Sequence, residues 1–239
     1  MLKGIAKFFL SLRTASLLFL SLFSLCLIGS LSLPKNLAFF SGIDDTPLFG
    51  WLSGAGDISL TWWIYGMIFL LAALAASTIF CTAEALLKRM NRQALAGKLS
   101  PQVMHIGVLL IMLGHLLTAS MGFKTDISIK KGGEAALPGG AKVYLEDVSV
   151  LTDQSGYDTD WIAKLTWIKD GKRLEGKVLR PASPLYFGRI GLYIKSASID
   201  PYPSALIRVA DDPGALWALV GGFLLVAGGL GFIYGRYRA

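Results

Sequence analysis

Four stretches with no Asp, Glu, Lys or Arg, each long enough to cross a lipid bilayer, constrain this chain more than any other feature. They are Thr14 to Pro34, Ile58 to Ala83, Leu99 to Phe123 and Pro213 to Gly235. A hydrocarbon core about 30 Å thick needs ~20 apolar helical residues. Each stretch is bracketed by charge: Arg13 and Lys35, Asp57 and Glu84, Lys98 and Lys124, Asp212 and Arg236. Charged residues make up 16% of the chain and the mean hydropathy is +0.56, against about 25% charged for a soluble domain. The chain therefore reads as a polytopic membrane protein. Its first apolar stretch exceeds the ~7–15 residues of a signal-peptide core, and no clear Ala-x-Ala site follows it, so it reads as an uncleaved anchor.

A pI near 9.4 raises the question of an anionic partner, and the location of the charges answers it. With the N-terminus inside, residues 1–13, 84–98 and 236–239 carry a net +8, the loop 35–57 carries −2, and the outer segment carries +1. Basic residues concentrate in cytoplasmic loops, so the excess sets topology and no nucleic-acid partner is expected. Trp62, Trp63 and Trp217 fall at outer ends and Tyr234 and Tyr237 at an inner end, as interfacial aromatics do. The expected plan is a cytoplasmic interfacial segment 1–13, spans 14–34, 58–83, 99–123 and 213–235, an outer loop 35–57, an inner loop 84–98, an outer domain 124–212 and a cytoplasmic tail 236–239. The segment 1–13 alternates basic and bulky apolar residues and reads as a helix lying in the interface.

Residues 124–212 read as strands and turns. Asp126–Lys131, Lys142–Val150, Trp161–Lys169, Lys172–Leu179, Gly191–Ile199 and Ala205–Ala210 are the candidate strands. Asp170-Gly171 is a two-residue hairpin signal, and Gly132-Gly133 and Pro138-Gly139-Gly140 supply further turns. The fold class expected is four transmembrane helices with one small extracytoplasmic all-β domain, a sandwich or partly open barrel, between helices 3 and 4. That domain contains no His and no Cys, and its acids show no metal or catalytic spacing. Lys172-Arg173 reads as a solvated hairpin tip.

Chemistry is limited by scarcity. The two cysteines, Cys26 and Cys81, form no Cys-x-x-Cys pair and read as buried small hydrophobes. The two histidines, His105 and His115, both lie in the third span, and ionisable residues inside a membrane are functional candidates by default. An imidazole there can hydrogen-bond helices together, ligate a metal or haem iron, or relay a proton. Ten residues put the two rings ~15 Å apart in height and ~80° apart in azimuth. They cannot share one iron, so if either binds haem the second axial ligand comes from another chain or from solvent. Ile106–Gly114 offers no polar group for a relay. Met104 and Met112 read as core filler. Gly107, Gly114 and Gly122 and the glycines of the fourth span read as close-packing positions.

Several stretches resemble the ResB-type (CcsB) proteins of system II cytochrome c biogenesis. They are Trp62-Trp63 through Ile79-Phe80-Cys81 to Lys88-Arg89, the run His105-Ile106-Gly107-Val108-Leu109-Leu110-Ile111-Met112-Leu113-Gly114, Gly122-Phe123 with Lys131-Gly132-Gly133-Glu134, and Pro184-Leu185-Tyr186-Phe187-Gly188 with Gly191-Leu192-Tyr193. Ala182-Ser183 and Ile194 depart from that pattern. The resemblance implies a multi-pass protein of the bacterial cytoplasmic membrane, with both termini cytoplasmic. It would work with a CcsA/ResC-type partner to export haem and attach it to apocytochrome c. It further implies His105 as a ligand to transiently held haem b near the cytoplasmic side, in a non-catalytic subunit of the haem lyase complex. It transfers no role to His115, which stays a second polar position in the third span. Two rivals stand beside it: a scaffold subunit that ligates nothing, and a membrane-anchored sensor. The cytoplasmic parts hold no output domain, which weighs against the sensor.

Overall fold

A computed structural model describes residues 8–90, 99–137, 140–169, 172–173 and 176–237. Residues 1–7 of the expected interfacial segment, 91–98 of the expected inner loop, Pro138-Gly139, Asp170-Gly171, Leu174-Glu175 and Arg238-Ala239 lie outside the described residues. The helices are α1 (Leu12–Lys35), α2 (Leu48–Gly54), α3 (Ile58–Met90), α4 (Ser100–Met121) and α5 (Ala215–Tyr237). All but α2 are long and apolar enough to cross a membrane, and a small β domain lies between α4 and α5, the third and fourth of these. The chain is a multi-pass membrane protein.

In the helical unit, α1 packs on α3, α3 on α4 and α4 on α5. The α1/α3 contact is built from complementary bumps and notches. A Cβ on Gly29 would sit 2.5 Å from the Trp63 ring, and one on Gly66 would sit 2.8 Å from Leu25 Cδ1. Each glycine therefore accommodates the side chain facing it. Asp57 starts α3 by accepting the Ser59 backbone N–H at 2.8 Å, which satisfies one of the four free donors of a helix start. The helix then runs on past the apolar stretch to Met90. The loop between α1 and α3 is not structureless. It contains α2, whose Leu52 joins Phe40, Trp63 and Ile64 in a buried cluster, with Phe40 stacked on Trp51 at 5.7 Å between centroids.

The α4/α5 contact is a seam of small residues repeating every seven positions. Ser100, Gly107 and Gly114 on α4 face Gly228, Gly221 and Gly214 at and before α5. Small residues let antiparallel backbones approach where lipid supplies no hydrophobic drive. Met104 lies in the same seam, its Cγ 2.7 Å from where a Cβ on Gly228 would stand, so it fills the contact between helices. Gly222 and Gly229 point into open space.

The second unit comprises residues 44–46 and 122–212. It contains β1 (Phe123–Lys130), β2 (Glu134–Ala136), β3 (Lys142–Thr152), β4 (Asp158–Lys169), β5 (Lys172–Arg173), β6 (Lys177–Leu179), β7 (Leu185–Phe187), β8 (Ile190–Ser198) and β9 (Ser204–Asp211). One antiparallel sheet has the order β1-β9-β8-β7. The other has β2-β3-β4-β5, with β6 also on β4. Val143, Leu145, Leu165 and Leu179 from one sheet and Leu192, Ile207 and Val209 from the other share a single core. Alternation puts these side chains on one face of each strand. The strand expected over Lys172–Leu179 is seen in its described parts: β5 continues the pairing Lys169↔Lys172, and Lys177–Leu179 (β6) pairs with the same strand β4. Bulges interrupt β3 beyond Leu145 and β8 beyond Ile194.

Candidate functional site

The third span places its two histidines in different settings. His105 is partly buried, one and a half turns into α4, and reaches across to α3, where its Nδ1 lies 3.3 Å from Thr82 Oγ1. Thr82 is buried, and its hydroxyl donates to the carbonyl of Thr78 at 2.8 Å. Nε2 of His105 has no hydrogen-bond partner among the described residues. His115 is exposed on α4 and forms no hydrogen bond among the described residues. Ten residues of continuous helix keep the rings ~15 Å apart along the axis, so no single iron is reached by both.

The two flanks of α4 differ. The glycine seam brings α5 against one face. His105 lies two residues before Gly107, a rotation of about 160° on an ideal helix, and so stands on the opposite flank, toward α3. The α4/α5 glycines are consumed in helix packing, and His105 meets α3 through Thr82. Haem iron needs an unprotonated imidazole nitrogen as axial ligand and an apolar slot for the macrocycle. The donor set fits one axial bond: one ring nitrogen is anchored and the other has no partner, in a helix otherwise rich in Leu, Ile and Val. No group of three or more His, Cys, Asp or Glu residues able to hold a bare metal ion occurs among the described residues.

Thr82 is the site residue that the sequence did not disclose. It stands beside Cys81 and 23 positions before His105 in the chain, and it meets His105 only through the packing of α3 on α4. The cysteines are less enclosed than expected. Cys26 is exposed and Cys81 half-buried. Cys26 Sγ lies 3.7 Å from Met67 Sδ, and Cys81 Sγ 4.0 Å from the carbonyl of Phe9, which also accepts the Ser77 hydroxyl at 2.7 Å. In a membrane an outward-facing thiol meets lipid, so helix packing places no demand on its burial.

In the β domain the segment Pro184–Tyr193 forms the β7–β8 hairpin. Gly188 takes a left-handed φ of +64° at its turn, a conformation that suits glycine. The hydroxyls of Tyr186 and Tyr193 are 3.1 Å apart, and that bond with partial burial pushes the Tyr193 phenol up to about 12. Arg189 makes a two-pronged ion pair with Asp211, at 3.1 and 2.7 Å, and Arg208 another with Asp126, at 2.7 and 2.8 Å. The guanidinium of Arg208 holds the Asp126 carboxyl below its ordinary range. Lys172 and Arg173 are exposed, and Arg173 covers the Tyr144 ring at 4.9 Å. These pairs brace strands and form no recognisable catalytic constellation.

No family model matches the chain, and no curated protein matches it. Among solved structures it is similar to Cytochrome c Heme Lyase CcmF, with 19% identity and a TM-score of 0.46, covering 87% of this chain and 34% of that one. The chain thus spans about a third of that protein's length. These comparisons correct the resemblance to the ResB-type (CcsB) system II proteins: the similarity found is to CcmF, at low identity. The stretches that suggested ResB have local structural explanations. Gly107 and Gly114 serve the α4/α5 seam, and Pro184–Tyr193 is a hairpin whose glycines permit a turn and the close approach of the Tyr193 ring to Gly191.

Proposed function

We propose that this chain is a haem-handling subunit of a membrane complex that matures c-type cytochromes, with His105 as an axial ligand to haem b held transiently at the α3 flank of α4. The observation that carries it is the state of the His105 ring: one nitrogen is tethered to Thr82 at 3.3 Å, and the other has no partner among the described residues. An intramembrane imidazole whose second nitrogen has no partner among the described residues is suited to a metal. Bound haem supplies iron that takes an imidazole on its axial face. The protein supplies the ligand, its orientation and the apolar walls. Cytochrome c, from which the similar haem lyase takes its name, enters as the recipient within this proposal.

The distribution of Lys and Arg supports an orientation with His105 toward the cytoplasm and the β domain outside, in which haem would enter from the inner side. His115 is too far away to complete the coordination. Any second ligand would come from another chain or from solvent, and within this proposal the chain serves as a non-catalytic subunit. The proposal does not depend on the CcsA/ResC-type protein first expected.

A second reading is favoured by one observation. The His105–Thr82 bond joins α3 to α4, which a scaffold without ligand would also use. Purifying the membrane complex with His105→Ala, and separately with His115→Ala, and measuring haem per protein decides between them. The proposal expects haem to fall in the first variant and persist in the second. Equal haem in both leaves the scaffold.

A further inference from the structure

Neutral histidine carries its ring proton on either nitrogen, and only the bare nitrogen can bind a metal. The surroundings of Thr82 decide which nitrogen that is. A threonine hydroxyl has one proton and two lone pairs. The proton of Thr82 goes to the Thr78 carbonyl at 2.8 Å, the usual O–H···O separation. His105 Nδ1 lies 3.3 Å from the same oxygen and meets its lone pairs. With the Thr82 proton on that carbonyl, the contact is attractive only if Nδ1 carries a proton and donates it. The opposite tautomer would set two lone pairs against each other at a buried site, where an unmade hydrogen bond is costly.

We propose that Thr82 is a positioning residue that fixes His105 as the Nδ1–H tautomer and so leaves Nε2 bare for iron. The deciding group is one step further back, the Thr78 carbonyl one turn earlier on α3. The hydroxyl of Thr78 itself donates to the Leu74 carbonyl at 2.9 Å, so Leu74, Thr78 and Thr82 form a ladder along one face of α3 that aims its last oxygen at α4. Partners behind a metal-ligating histidine commonly fix its tautomer and raise its basicity, and losing one costs about 10–100-fold in metal affinity. The tautomer itself stands without any haem; its use rests on the haem-ligand reading above.

The test is nitrogen NMR of the full-length, haem-free protein in detergent, labelled with ¹⁵N-histidine, with His115→Ala used for assignment. The expected result is a protonated Nδ1 and a bare Nε2 on His105. Thr82→Val should move the ring toward the other tautomer, and Thr82→Ser should keep it. A protonated Nε2 in the unaltered chain overturns the inference, whether or not any variant folds, and so does an unchanged tautomer in a folded Thr82→Val. Haem affinity gives a second readout. Thr82→Val should lose about 10–100-fold, with Thr82→Ser near the unaltered value. If His105→Ala keeps its haem while the tautomer is as stated, the ligand reading fails and the positioning geometry stands.

Discussion

Gly107 of α4 and Gly221 of α5 meet backbone to backbone: a Cβ on Gly107 would stand 2.6 Å from the Gly221 carbonyl oxygen, and one on Gly221 would stand 2.5 Å from the Gly107 carbonyl oxygen. Neither obstacle is a movable side chain, so any larger residue must push the helices apart. Gly222, the next residue, faces open space. Gly221→Ala should therefore destabilise by about 1–3 kcal/mol through overpacking. Gly222→Ala should be neutral or gain up to about 1 kcal/mol from helix propensity. Unfolding of the two variants in mixed micelles, followed by circular dichroism, checks the contrast. Equal stabilities would place the helix contact elsewhere.

The Asp126–Arg208 pair gives the β domain an acid-sensitive brace. Arg208 lowers the Asp126 pKa in the folded state. The stabilisation is therefore present above the unfolded value near 3.9 and is lost as pH falls through the lower folded value. Both side chains are 34% exposed, which limits the effect to about 1 kcal/mol or less. Asp126→Asn should be weaker than the unaltered chain at neutral pH and equal to it in strong acid. Denaturation followed by Trp161 and Trp167 fluorescence at several pH values tests this; a constant gap across pH would refute it.

Tyr193 should titrate late. Its hydroxyl is bonded to Tyr186, and partial burial adds to that, raising its pKa to about 12. A raised acid favours the neutral fold, so its contribution is complete below the unfolded pKa near 10 and lost as pH climbs through the folded value. Tyr186→Phe should bring the Tyr193 transition down toward 10 in an ultraviolet difference titration. A transition that stays near 12 would assign the shift to burial.

The spans and the β character of residues 124–212 were legible because charge brackets apolar runs and because strand periodicity survives without tertiary help. Two kinds of feature were not. The helix Leu48–Gly54 is too short for a periodic signal and exists because Leu52 and Trp51 have Phe40 to pack on. The register shifts of β3 beyond Leu145 and of β8 beyond Ile194 depend on how each strand meets its partner, which no local pattern encodes. For the site, His105 was visible as an ionisable residue in an apolar helix. Thr82 was invisible, since threonines in membrane helices ordinarily bond their own backbone, as Thr78 and Thr118 do, and only packing shows which one also meets a histidine.

Whether His105 binds iron or only packs is decided by removing its ring while leaving its helix in place. His105→Gly in the purified membrane complex removes the imidazole and leaves a hole beside Thr82. An iron ligand at this position predicts loss of bound haem and its absorption spectrum, with both restored by free imidazole in the buffer. A complex that keeps its spectrum without His105, or one whose lost haem imidazole cannot restore while the fold is intact, would contradict it.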